Sequence, residues 1–176
     1  MASKYVDFRT IKIIGGVFTV SILLSAILFP VFACGCKLAD NYTATISNCK
    51  QASLAMNMYA ADWDDYLPTS HGWADKAAVY INRPTIFNVS LDSGNPPRRF
   101  AMNKGISGHF VPKLDSEHGV MLFDSISNAP SPVGGKVLLA KYPKRDKYII
   151  GFIDGHAKGV RTNQLKDVSW NPTIKK

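Results

Sequence analysis

IIGGVFTVSILLSAILFPVFACGC, residues 13–36, is the stretch on which the architecture of this chain turns. It carries no charge, and about 20 such residues, rising 1.5 Å each, suffice to cross the hydrocarbon layer of a bilayer. The sequence therefore predicts a membrane-spanning helix over 13–36. Lys4, Arg9 and Lys12 precede it. The positive-inside rule keeps such a flank in the cytoplasm and places everything after Lys37 outside. Pro30 removes one helical hydrogen bond, so a kink is expected there. A cleaved signal peptide, and a lipoprotein signal ending at Val31-Phe32-Ala33-Cys34, remain as other readings of the same stretch.

Working outward, residues 1–12 form a basic N-terminus and 37–64 an amphipathic helical stem. In the stem, Leu38, Tyr42, Ile46, Cys49, Ala52 or Ser53, Met56 and Tyr59 or Ala60 recur at steps of three and four, which marks one helical face. Pro68 disfavours helix in the residue before it, so the helix should end near Asp62 to Asp65. Asp62, Asp64 and Asp65 crowd that end. Carboxylates suit calcium, but this is not the spaced calcium loop with its central glycine, and a solvated turn is the plainer reading.

Residues 65–176 read as a globular head. Trp73 to Ile81 predicts a short helix. Short apolar runs then follow between turn residues: IFNVSL, RRFAMN, GVMLFDSI, KVLLAKY and YIIGFI. Such runs without intervening helices predict an antiparallel sheet. Asp154-Gly155 between Tyr148–Ile153 and His156–Val160 predicts a type I′ hairpin, a turn that needs positive φ at both central residues. Thr162 is positioned to cap a last helical turn.

Composition narrows the function. The chain has 176 residues, 46% hydrophobic and 19% charged, which excludes a disordered chain; its 3 cysteines exclude a disulfide scaffold. Cys34, Cys36 and Cys49 leave at least one thiol unpaired, and His71, His109, His118 and His156 are too scattered for a metal cluster. The 21 basic and 13 acidic residues give +8, with one dense run at Lys136, Lys141, Lys144, Arg145 and Lys147, broken by Asp146. No aromatic platform is interleaved with it, which argues against a nucleic-acid partner. No nucleophile elbow, paired glutamates or phosphate loop is present, so neither an enzyme nor a cofactor is expected.

Several stretches carry a family resemblance: SAILFPVFA (25–33), NCKQASLAMNMYAADWDDYLP (48–68), GWADKAAVYINRPTIF (72–87), FAMNKGISG (100–108), MLFDS (121–125) and GFIDGHAKGV (151–160). Together they resemble bacterial pilin-like proteins with a prepilin-type N-terminal domain, the group built like type II secretion pseudopilins, and Asp154, Gly155 and His156 match the C-terminal signature of that group. The resemblance implies an α+β fold in which a long N-terminal helix, membrane-spanning in its first half, packs on a small antiparallel sheet in its second. It also implies a structural subunit of a type IV pilus or type II secretion-like system. Such a protein would pass once through the bacterial inner membrane and partner that membrane and other pilin-like subunits or secretion-system components. Counting back from Pro30, Phe8 replaces the family's glycine before the processing cut, Arg9 its aromatic first residue, and Ile13 its glutamate; Lys144 stands where a histidine is expected. Gly15, Gly16, Ser21, Ser25 and Ala26 are the small residues expected at an assembly face. The alternative is a monomeric, membrane-tethered envelope domain, a lipoprotein among the options, that binds a polyanionic or envelope ligand through residues 136–147.

Overall fold

The computed structural model describes residues 8–33, 36–89, 91, 95–143 and 145–172. The chain divides into two compact units, Met1–Asp40 and Asn41–Lys176.

Helix α1 (Phe8–Ala33) continues through Pro30 to Ala33. The expected transmembrane helix over 13–36, and with it the single-pass inner-membrane placement, is corrected: among the described residues no helix is long and apolar enough to cross a membrane. The part of α1 whose side chains are described, 12–26, would cover about 22 Å, against the roughly 30 Å of a hydrocarbon core. Phe8, Arg9 and Pro30 lie in α1, but their side chains, like that of Cys36, fall outside the described residues, as does all of Cys34.

The second unit is built on α2 (Cys36–Asp62) from Asn41 onward and on a five-stranded sheet. Its strands are β1 (Phe100–Asn103), β2 (Val120–Asp124), β3 (Val133–Gly134), β4 (Lys147–Phe152) and β5 (Ala157–Arg161), in the order β3-β1-β2-β4-β5. A short helix, α3 (Trp73–Ala78), precedes the sheet. The expected antiparallel sheet is also corrected, to a mixed one: β1 pairs β3 in parallel, with Met102 opposite Val133 and Asn103 opposite Gly134. The cause is the crossover after β2, which carries the chain past β1 to its far edge. Arg99 clamps that crossover, its Nη1 donating to the Pro130 carbonyl at 2.6 Å and its amide to the Ser127 carbonyl at 3.1 Å. Trp73 Nε1 donates to the Pro132 carbonyl at 3.0 Å.

Both faces of the sheet are covered. On one lies α2, with Cys49, Ala52, Ala55, Met56 and Ala60 packed among Phe100, Met102 and Ile149. On the other, Ala101, Phe123, Ile150, Phe152 and Val160 meet Leu138, Leu139, Leu165 and Trp170. Packing on these two faces accounts for two further departures. KVLLAKY contains a 3-10 helix (Lys136–Leu138) in place of a strand, and its leucines cap the sheet. IFNVSL opens in a 3-10 helix (Pro84–Phe87), with Pro84 at the position where a missing N–H costs nothing.

Candidate functional site

The helix–sheet seam runs over glycines. A Cβ built on Gly151 of β4 would lie 2.3 Å from Ser53 Oγ and 3.0 Å from Cys49 Sγ, and one on Gly155 would lie 2.9 Å from Leu54 Cδ2. At Gly159 of β5 the hydroxyl of Tyr42 occupies the same space. The absence of side chains at these positions lets α2 lie close against the hairpin of β4 and β5.

The Asp154-Gly155-His156 signature forms the tip of that hairpin. The expected type I′ turn is corrected: among these residues only Gly155 has positive φ, at 90°. The Gly155 amide donates to the Phe152 carbonyl at 2.9 Å, and Phe152 donates to the His156 carbonyl at 2.8 Å. That is the pattern of a turn over Ile153-Asp154 closed by a glycine bulge. Asp154 Oδ1 accepts from the His156 amide at 2.9 Å and lies 2.5 Å from His156 Nδ1. The imidazole stacks on Phe152, with centroids 4.2 Å apart. Asn57 of α2 donates to the Ile153 carbonyl at 2.9 Å, and the Asp154 amide reaches the Ser116 carbonyl at 3.0 Å. Ile153 thus fastens the hairpin tip to α2, and Asp154 fastens it to the 115–119 loop.

The acidic trio terminates α2. Asp64 and Asp65 adopt left-handed conformations, φ 51° and 62°, which aspartate tolerates better than most residues, and the Asp65 amide donates back to the Ala60 carbonyl at 2.8 Å. Asp62 Oδ2 accepts the Tyr80 hydroxyl at 2.8 Å. Among the described residues no three His, Cys, Asp or Glu side chains come together to hold a metal ion.

In the basic run, Lys141 pairs with Asp146 at 2.5 Å and, by hydrogen bonding first, holds that carboxyl below the usual range. The Arg145 guanidinium lies 4.4 Å from the centroid of the Tyr42 ring, and Lys147 Nζ lies 5.8 Å from it. Lys144 lies outside the described residues. Three of these cations therefore have partners within the chain.

Sequence reasoning missed a buried charged cluster beneath α2. Arg98 Nη2 lies 3.2 Å from Asp124 Oδ2, with side chains 10% and 0% exposed. Burial lifts the Asp124 carboxyl to about 7, while Arg98 opposes the rise. Burial first, and Asp124 second, push the Cys49 thiol up, which suppresses the thiolate a nucleophile would need. An available signal is the single charge ending the otherwise apolar VMLFD, because a charge in a buried strand needs a partner. Ser53 Oγ is buried beside this cluster without a hydrogen bond. Ser53→Ala should therefore leave stability unchanged or raise it by about 1 kcal/mol in chemical denaturation, whereas a loss of that size would mean the hydroxyl is paired.

No family model matches the chain, and no curated protein or solved structure shows significant similarity to it. The signature residues brace the hairpin tip, and Arg98, Asp124, Lys141, Arg145 and Lys147 have partners within the chain.

Proposed function

We propose that this chain is a pilin-like structural subunit, which works by assembling with like subunits through α1. The observation that carries this is the surface of α1. Ile13, Ile14, Val17, Phe18, Val20, Ile22, Leu23 and Leu24 are all more than half exposed, and these positions go round the whole helix. A helix apolar on every side is one that some other surface must bury.

Copies of the same helix suit that task. A Cβ added at Gly15 or Gly16 would meet nothing, so a neighbouring backbone can approach there. Thr19 and Ser25 turn their hydroxyls back onto the Gly15 and Ser21 carbonyls, at 2.8 and 2.9 Å, so both are already satisfied when the helix is covered. Ile13, standing where the family it resembles has a glutamate, leaves association to packing.

Sedimentation velocity and negative-stain microscopy of the full chain test the proposal. The wild type should sediment as large assemblies, and Phe18→Lys combined with Ile22→Lys should lower the assembled fraction at least tenfold. A wild type that stays monomeric at every concentration, or a double variant that assembles equally well, would overturn it.

A further inference from the structure

The parallel pairing of β1 with β3 sets the C-terminal ends of two strands side by side, with Asn103 opposite Gly134. Lys104 follows the first strand and Lys136 comes two residues after the second, each opening a 3-10 helix. Both lysines are exposed, and both line a cleft of about 510 Å³ together with Asn103, Gly105, Trp170 and Asn171. No aspartate or glutamate lines it. Among the described residues neither lysine is in an ion pair, unlike Lys141 of the same basic run, which holds Asp146. The Trp170 wall is fixed in place. Asn103 Nδ2 donates to the Trp170 carbonyl at 2.9 Å, and the absence of a side chain at Gly105 leaves room for that carbonyl, whose oxygen a Cβ would approach to 2.8 Å. Trp170 also keeps its indole Nε1 buried without a hydrogen-bond partner.

We propose that this cleft binds a phosphoryl group, as inorganic phosphate or as a phosphate ester, through Lys104 and Lys136. The chemistry of the lining favours that ligand. Two cations without a carboxylate leave two positive charges to be matched, and a phosphate monoester carries about −1.5 to −2 at neutral pH, where a single carboxylate carries about −1. Lysine serves phosphate as a point charge, whereas the planar fork of arginine suits the paired oxygens of a carboxylate. The unpaired indole N–H of Trp170 and the side-chain amide of Asn171 supply neutral donors in the same lining. The basic run is thereby divided: Lys141, Arg145 and Lys147 hold groups of the chain itself, and Lys136 joins Lys104 at the cleft. The site lies wholly in the second unit, so it stands apart from assembly through α1.

Equilibrium dialysis of the full chain against radiolabelled orthophosphate, near neutral pH, tests the proposal. The wild type should bind one phosphate per chain saturably, and Lys104→Gln combined with Lys136→Gln should weaken that binding at least tenfold. Lys50→Gln combined with Lys166→Gln, at two exposed lysines that do not line the cleft, should bind as the wild type does. Competition separates the two sources of the phosphoryl group. Displacement by glycerol 3-phosphate at or below the concentration needed with unlabelled phosphate assigns the cleft to an ester; a higher requirement assigns it to the free ion. Acetate should displace neither. Equal displacement by acetate, no saturable binding, or the same affinity after the Lys104 and Lys136 substitutions would overturn the proposal.

Discussion

Asp124→Ala should lower the unfolding free energy by about 3–5 kcal/mol at pH 8, the cost of leaving one member of a buried ion pair without its partner. Asp124 is fully buried at the end of β2, and Arg98, itself 9% exposed, keeps one further anchor, an Nη1 hydrogen bond to the Lys141 carbonyl at 3.2 Å. The 3.2 Å approach of Nη2 to Oδ2 brings the charges together without the alignment of a hydrogen bond, and both carboxylate oxygens lack one. The pair is therefore costly to bury and costlier to break. Its pH dependence has a definite sign. Burial raises the folded carboxyl to about 7, above its unfolded value of about 4, so the folded chain holds this proton more tightly. The stability of the wild type relative to Asp124→Asn should be greatest below about pH 4, fall as pH rises to about 7, and level off above. Urea denaturation across that range reads it directly. A difference that grows with pH would mean that Arg98 outweighs burial.

Gly151→Val should cost about 3 kcal/mol, the upper end of overpacking, because the new side chain enters the helix–sheet seam. Its Cβ alone would lie 2.3 Å from Ser53 Oγ and 3.0 Å from Cys49 Sγ, both on the buried face of α2, so the helix itself has to lift. Gly159→Ala is the informative control. There the obstacle is the hydroxyl end of Tyr42, which can swing away at the expense of its edge contact with Tyr142, 5.1 Å between centroids. The alanine should cost clearly less than the valine at 151. Denaturant midpoints of the two variants decide it; equal losses would mean that the glycines matter for the strands rather than for the helix lying on them.

Much of the second unit is legible in the sequence. The three- and four-residue spacing of Tyr42, Cys49, Ala52, Met56 and Ala60 marks the face that α2 buries, and the apolar runs at 100–103, 120–124 and 148–152 fall in strands. The rest depends on what touches from far along the chain. KVLLAKY has strand composition, yet its leucines serve as a lid on the second face of the sheet. The type I′ expectation takes Asp-Gly as a two-residue tip, whereas the chain uses Ile153 as well and leaves positive φ to Gly155 alone. Arg98 and Asp124 are brought together by the register that sets Phe100 opposite Asp124, which no local pattern encodes. Among the expected assembly residues, Gly15, Gly16, Ser21, Ser25 and Ala26 lie on exposed helix, while the signature residues 154–156 hold the hairpin tip.

The central claim is that α1 is covered by α1 of neighbouring copies, and one distance tests it most directly. A spin label at Phe18→Cys, in the full chain with Cys34→Ser and Cys36→Ser, reports the separation between copies by double electron–electron resonance. Packed helices lie about 8–10 Å apart axis to axis, so labels on adjacent copies should give a dominant distance below about 25 Å and an immobilised spectrum. Mobile labels with no intermolecular distance in that range, at concentrations where the chain is assembled, would contradict the account.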